Sequence, residues 1–167
     1  MILIALGANL SGRHGTPEQT LAAARARMAE CGLRAVQCSS TWLTAPVPVS
    51  DQPWYRNEVV AVETDRSPYA ILETLQIIEQ EFGRVRTVRN APRVLDLDLI
   101  AYDDLILDKP ELIVPHPRMH RRAFVLMPLQ EIAPDWRHPL LNLPLASLIR
   151  ALPAEQEAVK ARTADAA

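Results

Sequence analysis

Val94-Leu95-Asp96-Leu97-Asp98-Leu99-Ile100-Ala101-Tyr102 alternates apolar and acidic side chains through its middle, the period-two pattern of a β-strand. It is the last strand of the series that decides the fold. Upstream, residues 84–92 show no periodicity and read as a loop. Ser67-Pro68 opens a helix with Ile71, Leu75, Ile78 and Phe82 on one face and Gly83 at its end. Residues 55–63 set Asn57, Val59 and Ala61 against Glu58, Val60 and Val62, which predicts a third strand. Residues 35–43 are rich in β-formers and predict the second strand, running into a loop at 44–50 stiffened by Pro46 and Pro48. Thr16-Pro17-Glu18-Gln19 has the pattern of an N-cap, a first-turn proline and a capping box. Leu21, Ala24, Met28 and Cys31 follow at helical spacing before Gly32. Residues 1–6 are an apolar run that reads as a buried strand.

The order to residue 102 is therefore β-α-β-β-α-β. It predicts an α+β, ferredoxin-like fold, an antiparallel sheet with helices packed on one face. Beyond it, residues 114–120 read as a proline-rich loop and 121–132 as a helix bent or interrupted near Pro128. Residues 144–152 read as a short final helix, which makes a C-terminal helical extension. Residues 1–153 are expected to form a single domain and 154–167 a frayed tail, with no repeat, low-complexity block or linker.

Composition narrows the function. With 167 residues, 49% hydrophobic, 23% charged and a net charge of −2, the chain suits a folded domain rather than a disordered one. No run approaches the length of a membrane span, and MILIALGANL lacks a basic leader, so the expected compartment is the cytoplasm. Cys31 and Cys38 lack metal-ligand spacing and read as small packing residues. The near-neutral charge argues against a general nucleic-acid binder, and the strands lack the aromatic platform of an RNA-binding module.

Only Lys109 and Lys160 are lysines among the 18 basic residues. Arginines cluster at Arg84, Arg86, Arg89 and Arg93, and again at Arg118, Arg121 and Arg122, on either side of the acidic strand. Alternation puts Asp96 and Asp98 on one strand face, about 7 Å apart at Cα. Adjacent like charges repel unless a cation lies between them, and hard oxygen ligands suit Mg²⁺ that also holds phosphate and water. Together with His116, this is a phosphate-handling constellation. Gly7-Ala8-Asn9-Leu10-Ser11-Gly12-Arg13-His14 has the glycine spacing of a P-loop but not its Lys-Ser/Thr ending, and no dinucleotide fingerprint exists. Tyr55 and Phe124 could stack a planar heterocycle whose polar edge Asn57 would read. The bland alternative is a scaffold whose aromatics are core packing, but a scaffold does not need these acids, arginines, His116 and Asn57. His14, His138, Trp42 and Trp136 read as structural.

These residues resemble the 6-hydroxymethyl-7,8-dihydropterin pyrophosphokinase family. The resemblance runs from Gly7-Ala8-Asn9-Leu10 through Thr44-Ala45-Pro46 and Asp51-Gln52-Pro53-Trp54-Tyr55-Arg56-Asn57 to Pro92-Arg93-Val94-Leu95-Asp96-Leu97-Asp98, Val114-Pro115-His116 and Glu131-Ile132-Ala133-Pro134. It implies an ATP-dependent diphosphotransferase that gives AMP and the pterin diphosphate, a step of folate biosynthesis. It implies that Asp96 and Asp98 bind two Mg²⁺ ions, and that Arg84, Arg93, Asp96, Asp98 and Arg122 form the catalytic set. ATP contacts are implied at Gln76, Glu79, Arg84, Arg93, Leu99 and His116. Pterin contacts are implied at Thr44, Pro46, Val47, Tyr55, Asn57 and Phe124, with moving loops at 44–50 and 84–92. The implied partners are ATP and the pterin, with neither nucleic acid nor membrane, and the implied state is a monomer. The chain departs from the family pattern where Asn90-Ala91 replace a frequent Trp-Gly, and where Glu111 and Ile113 stand in place of an arginine and a threonine.

Overall fold

The β-forming runs assemble around β1, Ile2–Ala8, every residue of which is buried. In the computed structural model, which describes residues 1–83 and 94–161, β1 pairs antiparallel with β4 (Tyr55–Glu63) on one side and β5 (Asp96–Tyr102) on the other. The far edge of β4 carries β2 (Arg34–Cys38) and then β3 (Trp42–Thr44), and β8 (Ala158–Lys160) pairs with β3. All these pairings are antiparallel. The expected strand at 35–43 is split because hydroxyl side chains take over at residues 39–41. Ser39 Oγ accepts the Val59 N–H at 3.0 Å and Thr41 Oγ1 donates to Glu58 at 2.8 Å. Ser40 turns both its N–H and its hydroxyl to Glu131.

Helix α1 (Pro17–Glu30) starts at the Thr16 capping box, and Gly32 follows it at φ +86°. Helix α2 (Pro68–Glu81) starts with the Ser67 side chain accepting the Ala70 N–H. Both pack on one sheet face, where Leu21, Met28, Ile71, Leu75 and Ile78 meet Ile4, Leu6, Val60, Leu97 and Leu99.

Helices cover the other face too, which corrects the expectation of one covered face. Helices α3 (Ala123–Ile132) and α4 (Leu145–Arg150) bury Val125, Leu126, Leu129 and Leu148 against Leu3, Ala5, Val59 and Ala61. Pro128 lies inside α3 without ending it. Ahead of the expected loop at 114–120, β6 (Leu107–Asp108) pairs with β7 (Ile113–Val114) in a small hairpin, and the end of that loop forms a 3-10 turn, Met119–Arg121. The expected frayed tail instead supplies β8. Among the described residues no helix is long and apolar enough to cross a membrane.

Two charged groups tie the layers. Glu58, 5% exposed, pairs with Arg25 of α1. Glu131 of α3 accepts from Ser40, from Trp42 Nε1 at 2.9 Å and from Lys160 at 3.4 Å. Burial alone would raise the Glu131 carboxyl, but these bonds outweigh it and hold it below its ordinary value.

His138 is 3% exposed and its Nδ1 accepts the Leu140 and Leu141 N–H groups at 3.2 and 3.0 Å. His120 sits edge-on to it at 5.8 Å with its Nδ1 buried and unpartnered. Burial lowers both imidazoles below the ordinary value of 6.5, which favours their neutral form in the folded protein. The unfolded chain then binds more protons below that value, and stability falls as pH drops through it. The urea midpoint is expected to decline as pH falls through 6.5, and His138→Asn is expected to make that decline shallower while His116 and His120 keep part of it. An equal slope in the variant would contradict this reading.

Candidate active site

The site is built on the α3 face of the sheet, where pairing sets side chains in rows. Val59, Ala5 and Asp98 stand abreast on β4, β1 and β5, and the next row is Asn57, Gly7 and Asp96. Both acids therefore share a face, as their spacing predicts, while Leu95, Leu97 and Leu99 go to the helix α1/α2 side. The middle strand contributes only Ala5 and Gly7 to these rows. That missing volume is the floor of a cavity of about 450 Å³, a size suited to a small ligand.

Gly7 has a definite reason to lack a side chain. A Cβ there would lie 2.6 Å from Asn57 Oδ1. Asn57 leans over the glycine and donates from Nδ2 to Thr44 Oγ1 at 2.5 Å, with both residues buried. Thr44 is the last residue of β3, so this bond fixes the start of the loop that carries Ala45, Pro46 and Val47 along the cavity. Asn9, 3% exposed at the end of β1, donates to Gln52 Oε1 at 3.2 Å and to the Pro53 carbonyl at 3.1 Å, and so secures the loop's other end.

Tyr55 and Phe124 both line the cavity, from β4 and α3. The Arg122 guanidinium lies 5.2 Å from the Phe124 ring centroid, a cation–π contact that couples a charged wall to an aromatic one. His116 is held beside β5 by its N–H donating to the Ile100 carbonyl at 2.9 Å. Its Nδ1 accepts the Arg118 N–H at 3.2 Å, which leaves the ring hydrogen on Nε2. Burial, then Arg122 and Arg118, push His116 down to about 4 against a smaller opposing effect of Asp96. It is therefore a neutral imidazole near pH 7 in the ligand-free protein.

Thr44 does not line this cavity but is bonded to Asn57, which does. Pro46, Val47, Tyr55, Asn57, Asp96, Asp98, His116, Arg122 and Phe124, all singled out in the sequence, line it. Gln76, Glu79 and Leu99 do not. Gln76 is exposed on α2, and Leu99 is 4% exposed within the α1/α2 core. Glu79 is 5% exposed and accepts the Leu97 N–H of edge strand β5 at 2.8 Å. Arg84 and Arg93 lie outside the described residues. The structure adds Gly7, Gln52, Arg118, Arg121 and Gln156 to the lining. The arginine cluster already marked Arg118 and Arg121, whereas nothing in the sequence marks Gln156.

Among the described residues there is no cluster of three or more His, Cys, Asp or Glu side chains that could enclose a metal. Two carboxylates on one face of a strand, at the edge of an open cavity, fit a cation such as Mg²⁺ that completes its shell with phosphate and water.

The model of the 7,8-dihydro-6-hydroxymethylpterin-pyrophosphokinase family matches residues 3–134. The chain belongs to that family. A Pseudomonas aeruginosa relative named 2-amino-4-hydroxy-6-hydroxymethyldihydropteridine pyrophosphokinase is 44% identical over 140 residues, covering 83% of each chain. A Haemophilus influenzae protein of the same name is 43% identical over 150 residues, covering 89% of this chain and 88% of that one. The folic acid synthesis protein fol1 of Schizosaccharomyces pombe is 38% identical over 124 residues, and there this chain matches 74% of its own length but 17% of the relative's. Among solved structures, an HPPK-DHPS crystallised with substrates shares the fold at TM-score 0.68 and 12% identity, over 90% of this chain and 44% of that chain. Wild-type Plasmodium falciparum HPPK-DHPS with pteroate aligns at TM-score 0.67 and 14% identity, over 89% and 41% of the two chains.

Gly7→Ala is expected to displace Asn57, break its bond to Thr44 and lower the unfolding free energy by about 1–3 kcal/mol. Urea denaturation reads the loss, and the Asn57 side-chain amide resonance should move while helix content stays constant. Unchanged stability with an unmoved resonance would show that the glycine is not needed there.

Proposed function

We propose that the cavity transfers a diphosphate from ATP to the hydroxymethyl group of 6-hydroxymethyl-7,8-dihydropterin, giving AMP and the pterin diphosphate for folate biosynthesis. The observation that carries this is the row Asn57–Gly7–Asp96, which sets an amide able to read a heterocycle edge next to an acidic pair across one small-residue floor. Membership of the family supplies the reaction class, and the named relatives above share it.

In this reading the pterin ring lies between Tyr55 and Phe124, where stacking favours a flat heterocycle. Asn57, with Thr44 behind it, meets the ring's polar edge. Pro46 and Val47 form the wall that keeps water from it. Asp96 and Asp98 hold Mg²⁺, two ions in the proposed stoichiometry, which would neutralise the oxygens of the ATP phosphates. His116 donates from Nε2 to a phosphate oxygen, and its neutrality lets it sit among arginines. Arg118 and Arg121 line the mouth of the cavity, and Arg122 steadies the transferring group while stacked on Phe124. Arg84 and Arg93 join the phosphate contacts in this proposal. Gln76, Glu79 and Leu99 are assigned to the nucleotide in this proposal, supported for Glu79 by its bond to the strand one residue from each acid.

The hydroxymethyl oxygen attacks the β-phosphorus in line. An oxygen–phosphorus bond forms, the bond from the β-phosphorus to the oxygen bridging to the α-phosphate breaks, AMP leaves with that oxygen, and the hydroxyl proton passes to solvent. The residues supply position and charge rather than a covalent intermediate.

Asp98→Ala is expected to lower turnover by about 1,000-fold or more while the variant stays folded, because its carboxylate would hold the cation that offsets the charge of the ATP phosphates. Steady-state AMP formation and a thermal melt together check this. Near-wild-type turnover would remove Asp98 from the metal site.

A further inference from the structure

The C-terminal segment touches both walls of the cavity at once. The Gln156 carboxamide accepts the Ala123 N–H on Oε1 at 2.9 Å and donates from Nε2 to the Arg121 carbonyl at 2.7 Å. These two groups flank Arg122, whose backbone is extended at φ −118°, ψ 111°. Arg122 is the N-cap of α3 and offers no side-chain bond to the helix, so the first N–H of α3 is satisfied from 33 residues away. A primary amide is the side chain that can donate and accept side by side, as a neighbouring strand would.

The residues that follow grip the opposite wall. The Glu157 carbonyl accepts the Ala45 N–H at 3.1 Å, and β8 pairs Ala158 with Thr44, Val159 with Leu43 and Lys160 with Trp42. The Ala161 N–H donates to the Thr41 carbonyl at 2.9 Å. One short stretch therefore binds the Arg121–Ala123 backbone at one end and the β3 strand leading to Pro46 at the other. Gln156 also lines the cavity itself.

We propose that Gln156 is a positioning residue, and that the 156–161 strap sets the spacing between the Arg122–Phe124 wall and the Thr44–Pro46 wall. The inference rests on the function proposed above for its kinetic readout, though not for its structural one. Without the amide, Arg122 and Phe124 lose their fixed entry into α3, and the aromatic and charged contacts shift together.

The test compares wild type, Gln156→Ala, Gln156→Glu and the neighbouring surface variant Glu155→Ala in the full chain. Gln156→Ala should lower kcat/KM for the pterin by about 10- to 100-fold, since misplacing reacting groups by about an ångström has that effect. Its melting temperature should stay near that of wild type. Gln156→Glu keeps the acceptor but loses the donor and should also be impaired, whereas Glu155→Ala should match wild type. Hydrogen exchange at the Ala123 amide should be slow in wild type and faster in Gln156→Ala, whatever the substrate is. Equal Ala123 exchange in the two proteins would overturn the proposal. So would unchanged kcat and KM per folded molecule, or a loss explained wholly by fewer folded molecules. A wild-type chain that makes no AMP but shows the exchange difference would sink the function reading while supporting the strap.

Discussion

The register of β1 between β4 and β5 is the constraint from which the site follows. Because Gly7 faces Asn57 on one side and Asp96 on the other, a carboxamide and an acidic pair share the floor of one cavity. A one-residue slip in β5 would turn Asp96 and Asp98 toward α1 and α2 and bring Leu97 onto the floor. The register is secured by burial on both faces: Leu97 and Leu99 belong to the core under α1 and α2, while Leu3 and Ile100 belong to the core under α3. Glu79 adds a further lock by taking the outward N–H of Leu97 on an edge strand.

The same sheet face serves two purposes along its length. Where β1 offers Leu3, α3 and α4 pack on it and supply stability; Ala5 belongs to both that core and the cavity lining, and at Gly7 the volume is left for a ligand. The charges around that volume are sorted. Carboxylates lie on the rigid strand, where a cation can be held in place. The arginines come from the 3-10 turn and its flanks, and His116 stays neutral between them. Positive charge is thus brought to the mouth of the cavity by a segment whose entry into α3 is held by Gln156 rather than by a local cap.

Much of this was legible in the sequence because it is periodic. The two carboxylates fall on one face by the alternation of β5, and the starts of both early helices are written in Thr16 and Ser67. Helices α3 and α4 were legible, but the sheet face they cover was not. Ile2–Ala8 is apolar on both faces and states no preferred side, and α3 is apolar nearly all round. The break between β2 and β3 was hidden because Ser39, Ser40 and Thr41 suit a strand locally and depart from it only through Val59, Glu131 and Glu58. β8 is three residues long and is held by β3 and Glu131, so its order is a tertiary effect with no local signal. For the same reason Gln156 could not be found from its neighbours. Family resemblance marked Gln76, Glu79 and Leu99, none of which lines the cavity: Leu99 is buried under α1 and α2, Glu79 binds the Leu97 N–H, and Gln76 is exposed on α2.

The most direct measurement is phosphorus NMR of ATP mixed with 6-hydroxymethyl-7,8-dihydropterin and this protein, once with Mg²⁺ and once with EDTA. AMP and pterin diphosphate are expected to appear one for one, only with Mg²⁺. Folded protein that yields no AMP, or that releases ADP or inorganic phosphate instead, would contradict the proposed reaction.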